Sequence, residues 1–338
     1  MKNFRMITSA ILALTLSLFL TACGGKKTET PAETTDAPQA TTEKYLIGIS
    51  QYGEHPSLDN CRTGFLQGLE QAGLKEGVDF DVDYQNAGFD DNIATQIGQT
   101  FSAEDADLMV AIATPSAVAC YAAAEDKDIP VIFTAITDPV QAKLDSGNIT
   151  GTSDKLPVEA QLDLIRQLQP DAKTIGIIYT TSEPNSVSAI AEYQAKAPEY
   201  GFEVDAVGVT SQAEVTQAAD TLISHGVDCF SNLTDNNVVG VLSSILEKTD
   251  EAGIPIYGSE VEQVKLGCVA AAGIDYVQMG RQTGMMAAKI LTGEASAYDM
   301  PYETITEYGI YVNSAALASF GIELPADVAE KAIESTEA

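Results

Sequence analysis

Along the chain, short apolar runs alternate with stretches of helical spacing, and the order repeats. YLIGIS from Tyr45, FDVDYQN from Phe80, DLMVAIA from Asp107 and PVIFTAI from Pro130 suit strands. After Pro56, the residues Leu58, Cys61, Phe65, Leu69 and Ala72 recur at intervals of three and four, which gives one apolar helical face. Further helices are expected from Asn92 and in the Ala-rich stretch after Pro115. Such alternation predicts a parallel sheet with helices on both faces. The same order then restarts: TIGIIYT from Thr174, VDCFSNLTDNN from Val227 and GIPIYGSE from Gly253 each echo an earlier strand that ends in a polar turn. Two similar α/β lobes follow, with Rossmann-like parallel sheets. NITGTSDKLP, ending at Pro157 before a helix over Val158–Leu168, and GCVAAAGID, stopping at Asp275, form extended links that read as hinges. The helix after Asp275 carries Met279, Thr283, Met286 and Ile290 on one stripe, and a last strand is expected over Glu303–Val312.

The N-terminus carries its own pattern. Lys2 and Arg5 precede the apolar run Ile11–Leu20, which is too short for a membrane span and reads as a secretory signal peptide. Leu20-Thr21-Ala22-Cys23 resembles the lipobox of bacterial lipoproteins, in which cleavage before the cysteine leaves Cys23 lipid-modified. Residues 24–42, GGKKTETPAETTDAPQATT, lack any large apolar side chain and read as a disordered tether. The expected location is the extracytoplasmic face of a cell membrane. A formal net charge of −31 opposes contact with nucleic acid or anionic lipid. Cys61, Cys120, Cys229 and Cys268 show no metal-ligand spacing and are read as buried free thiols, with pairing left open for an exported chain; Asp79, Asp81 and Asp83 lack the Gly and Glu of a calcium loop, so no metal or cofactor is expected.

The segments IGISQYGEHPSLD, ATPSA, FTAITDPV, ITGTSD, TSEPNS, LTDN, GSE and AAGIDY span nearly all of Tyr45–Pro325. In their order and spacing the chain resembles the solute-binding proteins of bacterial ABC importers with the type I periplasmic-binding fold, and more closely the tryptophan and tyrosine uptake subfamily. That resemblance implies capture of a small amino acid between two lobes and delivery to the transmembrane subunits of an ABC permease, with the protein acting as a monomer. It also implies that the helix after Asp275 returns to the first lobe and Glu303–Val312 to the second. The expected division is 1–22 signal peptide, 23–43 lipidated cysteine and tether, 44–152 plus 277–302 N-terminal lobe, and 153–276 plus 303–338 C-terminal lobe.

In open parallel sheets, ligands collect at the carboxyl ends of strands. The candidates are therefore the polar turns: Gln51, Tyr52, Glu54 and His55; Thr114 and Ser116; Thr137 and Asp138; Asn185 and Ser186; Thr234, Asp235 and Asn236; Glu260; and Asp275 at the crossover. Arg62, Arg166 and Arg281 all fall inside helices, so no bidentate fork serves a phosphate or dicarboxylate. A single carboxylate can be held by neutral donors at a helix start such as Thr114-Pro115-Ser116. Asp138, Asp235, Glu260 and Asp275 can receive an ammonium, with Asp275 preferred. Donors beside acids describe an α-amino acid, although each acid also suits a helix cap. With no Trp in the chain, an aromatic wall comes from Tyr52, Tyr257, Tyr276 or a Phe. Aromatic and branched aliphatic side chains both remain open.

Glu54-His55 is the best acid/base pair on offer, yet no nucleophile elbow accompanies it, so an enzyme is not expected. A ligand-sensing ectodomain or a repressor core can share the fold, but a sensor adds a membrane span and a repressor a DNA-binding helix pair. The cleaved signal favours a binding protein.

Overall fold

The computed structural model describes residues 44–336; the signal-peptide, Cys23 and tether readings lie outside the described residues. The first half builds β1 (Tyr45–Gln51), α1 (Pro56–Gln71), β2 (Phe80–Asn86), α2 (Asp91–Ala103), β3 (Leu108–Ile112), α3 (Thr114–Ala124), β4 (Val131–Thr134) and β5 (Ile149–Ser153). The second continues with α4 (Val158–Leu168), β6 (Thr174–Thr180), α5 (Pro184–Lys196), β7 (Glu203–Val209), α6 (Val215–His225), β8 (Cys229–Ser231), α7 (Asn236–Val239), α8 (Leu242–Ala252), β9 (Ile256–Gly258), α9 (Val261–Leu266) and β10 (Ala270–Gly273). The chain ends in α10 (Tyr276–Leu291), β11 (Glu303–Thr304), β12 (Gly309–Val312), α11 (Ser314–Ser319), α12 (Ala326–Ala329) and β13 (Ala332–Glu334).

Two sheets result. The first runs β11-β5-β4-β3-β1-β2 and is parallel throughout; the second runs β13-β12-β10-β9-β8-β6-β7 and is parallel except where β12 meets β10. The central strands are apolar and fully buried, β3 along its whole length, because helices cover both faces. This is the two-lobed α/β architecture of type I periplasmic-binding proteins.

The expected strand over Glu303–Val312 is two strands on different sheets. Glu303 and Thr304 add to the edge of β5, and Ile305 donates to the Ser153 carbonyl (2.9 Å). The chain then leaves that edge and rejoins as β12, antiparallel to β10. Pattern alone could not place this break, because both pieces are extended and only the partner edge differs. The C-terminal segment also contributes β13, which pairs with β12 and closes that side of the second sheet. Three short links thus pass between the sheets, at residues 154–157, 274–275 and 305–308.

The helix α10 packs against α1 through glycines. A Cβ on Gly64 or Gly68 would stand 2.1 or 2.2 Å from the carbonyl oxygens of Val277 and Arg281, and one on Gly280 or Gly284 would stand 2.1 Å from those of Cys61 and Phe65. The two backbones touch at each of these points. Thr283 of α10 is also buried beneath the first sheet, its hydroxyl 2.7 Å from that of Thr152 on β5. Between them these contacts fix the first helix, whose start faces the second lobe.

Candidate functional site

The carboxyl ends of the strands in both sheets turn toward one cleft, and three polar pairs cross it. Ser57 at the start of α1 donates to Glu260 Oε1 (3.0 Å), the Thr137 and Thr234 hydroxyls stand 3.0 Å apart, and Ser188 of α5 donates to Asp138 Oδ2 (2.6 Å). The lobes are therefore closed on each other. What remains between them is a cavity of about 20 Å³, room for roughly one water. His55, Ser57, Leu58, Ala135, Asp154 and Tyr276 line it from the first lobe and its crossovers, and Thr234, Asn236, Val239, Glu260 and Gln263 from the second. An amino acid enters only with the lobes further apart.

Two carboxylates border this cavity. Glu260 is 1 % exposed and caps α9, accepting from Glu262 N (2.7 Å) and Gln263 N (3.0 Å). Burial pushes its pKa up to about 7; its bonds to these amides and to Ser57 pull the other way. Asp154, equally buried, accepts from the Tyr276 hydroxyl (2.5 Å) and from Thr137 (3.0 Å), and burial likewise raises its pKa. His55 stands opposite, 8 % exposed, with no hydrogen-bond partner at either ring nitrogen among the described residues. Burial drives its pKa down to about 4, opposed in part by the Asn236 side chain, so the ring is neutral.

Behind the second-lobe wall lies a polar network. Glu183 accepts from Asn185 Nδ2 (3.0 Å), Asn236 Nδ2 (2.7 Å) and Asn237 Nδ2 (3.1 Å), while Asp235 caps α7 and accepts from Ser186 (2.7 Å) and the Thr180 hydroxyl (2.8 Å). Burial, then the nearby Asp235 charge, push Glu183 up to about 8. Asn236 links this network to the cavity.

Of the residues read from sequence, His55, Thr234, Asn236 and Glu260 line the cavity, Thr137 and Asn185 bond to the lining residues Asp154 and Thr234, and Ser186 and Asp235 bond to each other in the network behind its wall. Asp138 holds the lip of the cleft. Thr114 and Ser116 are buried at the end of β3, which lies between β4 and β1, and neither lines the cavity: Ser50 donates to Ser116 (3.1 Å), and Thr114 Oγ1 has no partner among the described residues. No side chain caps α3 there. Ala113 (φ 79°) and Ala135 (φ 60°) hold left-handed backbone at the ends of β3 and β4, a strain that concentrates at functional turns. Gln51 and Tyr52 do not line the cavity, Gln51 being bonded to Asp59 (3.0 Å) and Arg62 (2.8 Å) and Tyr52 to Asp91 (2.9 Å), and Glu54 is exposed. Asp275 is exposed too, its carboxylate spent on capping α10 through Val277 N (2.9 Å) and Gln278 N (3.1 Å). The acid at the crossover that is buried is Asp154.

A family model described as ABC transporter substrate binding protein matches residues 46–336. The chain belongs to that family. This substrate-binding protein is 37% identical over 333 residues to the tyrosine-binding protein of Clostridioides difficile (strain R20291), covering 96% of this chain and 94% of that one. It superposes with a TM-score of 0.83 on an ABC domain in complex with L-Trp from Streptococcus pneumonia, at 32% identity, over 87% of this chain and 100% of that chain. On the ligand-free, open structure of a substrate-binding protein with adhesive properties from Clostridium difficile the score is 0.63, over 86% and 99%, despite a higher identity of 39%. The lobes are thus arranged as in the complex, in agreement with the three polar pairs across the cleft. The family is one of binding proteins rather than enzymes.

Asp154, Ser57 and Gln263 were not among the residues picked from sequence. Asp154 sits in GTSDKLP, which reads as a hinge link, yet it directly follows β5, and the strand-end rule that selected the other turns applies to it equally. Ser57 and Gln263 lie within the first turns of α1 and α9, one step past the turns themselves.

Proposed function

We propose that this chain is an extracytoplasmic lipoprotein that captures an aromatic α-amino acid, tyrosine or tryptophan, between its lobes and presents it to an ABC permease. The observation that carries this reading is the pair of buried carboxylates, Asp154 and Glu260, on one cavity with no lysine or arginine among its lining residues. A buried carboxylate is costly unless protonated or paired, and a ligand ammonium supplies the missing cation. The carboxylate of the ligand goes to the start of α3, where the Thr114 hydroxyl has no partner among the described residues and Ser116 is buried. Neutral His55 adds one donor and one acceptor. Leu58, Val239 and Tyr276 supply the apolar wall. The 37% identical relative named for tyrosine and the L-Trp-bound neighbour support an aromatic side chain. Calorimetry with a panel of free amino acids tests the reading: tyrosine or tryptophan binding tightest supports it, and preference for a branched aliphatic or an acidic amino acid overturns it.

A further inference from the structure

Phe89 stands on the loop between β2 and α2, and its ring reaches beyond its own lobe. The ring lies parallel to the His55 imidazole, with centroids 6.3 Å apart and 7° between planes, and edge-on to Tyr52 at 6.0 Å. Its tip meets the second lobe: a Cβ built on Gly240, just after α7, would stand 3.0 Å from Phe89 Cζ. In its own lobe a Cβ on Gly53 would stand 2.0 Å from Cε1. The ring thus seats between a glycine of each lobe, and its contact with Gly240 exists only while the lobes are together.

The loop that presents the ring is preset. Gly88 and Phe89 both hold left-handed backbone, φ 60° and 63°, a conformation glycine adopts freely and a phenylalanine rarely does. A backbone bond to Tyr52 holds it there: Phe89 N donates to the Tyr52 carbonyl (2.9 Å), and the Tyr52 hydroxyl oxygen stands 3.3 Å from the Phe89 carbonyl oxygen while its single proton goes to Asp91. Tyr52 is anchored in turn on Asp91 (2.9 Å).

We propose that Phe89 is a latch: its ring, held out by the strained loop, docks between His55 and Gly240 when the lobes close and sets how slowly the bound amino acid leaves. A contact made only in the closed form stabilises that form and acts on escape more than on capture. The choice of probe rests on the ligand reading above; the latch itself does not. The test is stopped-flow binding of L-tyrosine to the wild type, Phe89→Ala and Phe89→Leu. Dissociation is expected to be about tenfold to a hundredfold faster in Phe89→Ala and intermediate in Phe89→Leu, with association changed by less than about threefold. An unchanged dissociation rate, or a loss of affinity carried by slower association, overturns the latch. Small-angle scattering without amino acid reads it independently: Phe89→Ala is expected to have the larger radius of gyration, and superimposable profiles overturn the proposal. If the wild type binds neither L-tyrosine nor L-tryptophan, the ligand reading fails and scattering alone decides the latch.

Discussion

Replacing Glu260 by glutamine should stabilise the protein and impair it as a receptor, and the size of the first effect follows from burial. The carboxyl is 1 % exposed, and its pKa stands at about 7, against an ordinary value of 4.5. Between those two values the unfolded chain has lost a proton that the folded one keeps, so stability falls as pH rises through this window and levels off above pH 7. The difference corresponds to about 3 kcal/mol. Glutamine is nearly isosteric and keeps an oxygen to accept from Glu262 N or Gln263 N, while the loss of one accepted bond costs about 1 kcal/mol at every pH. The variant should therefore be no more stable than wild type near pH 4.5 and gain by about 2–3 kcal/mol on approaching pH 7.5. Urea unfolding without added amino acid, run for both proteins across that range, measures the difference, and comparison within the pair cancels the contributions of His55 and Glu183. The same substitution removes an ammonium partner and should weaken tyrosine or tryptophan binding about tenfold to a hundredfold by calorimetry. Parallel stability curves would refute the argument, since they would mean that Glu260 ionises in the folded protein as it does in water.

Gly284→Ala should lower stability by about 1–3 kcal/mol, seen as an earlier urea midpoint, because the new methyl group would stand 2.1 Å from the Phe65 carbonyl oxygen and force α1 and α10 apart. Ser116→Ala should weaken amino-acid binding about tenfold to a hundredfold with an unchanged urea midpoint, and equal affinities in calorimetry would move the carboxylate site away from α3. Cys23→Ser should shift the protein from the membrane to the soluble fraction in cell fractionation, and a variant that stays membrane-bound would remove the lipid-anchor reading.

The repeated order of strands and helices was readable in the sequence because buried parallel strands are continuous apolar runs and their helices carry apolar faces. The break in Glu303–Val312 was not, since an extended segment carries no mark of which sheet edge it joins. The site was legible to the extent that it obeys the rule of strand ends, which located His55, Thr234, Asn236 and Glu260. The acids show where such reading stops. Asp235, Glu260 and Asp275 all cap helices, as their positions in sequence allow, and the capping signal is the same whether the carboxylate ends up buried or in water. Burial is decided by which side chains the fold lays over the turn, a matter of long-range packing rather than of local sequence. Ser57 from α1 covers Glu260 and Tyr276 covers Asp154, whereas Asp275 is left exposed.

The claim that an α-amino acid is recognised at both of its charged ends is tested most directly by calorimetry of the protein with L-tyrosine, its amide and its N-acetyl derivative. L-Tyrosine is expected to bind, and each derivative to bind at least about tenfold more weakly, because one loses the negative charge read at Thr114-Pro115-Ser116 and the other the ammonium read by Asp154 and Glu260. Equal binding of all three, or of none of them nor of L-tryptophan, would contradict the account.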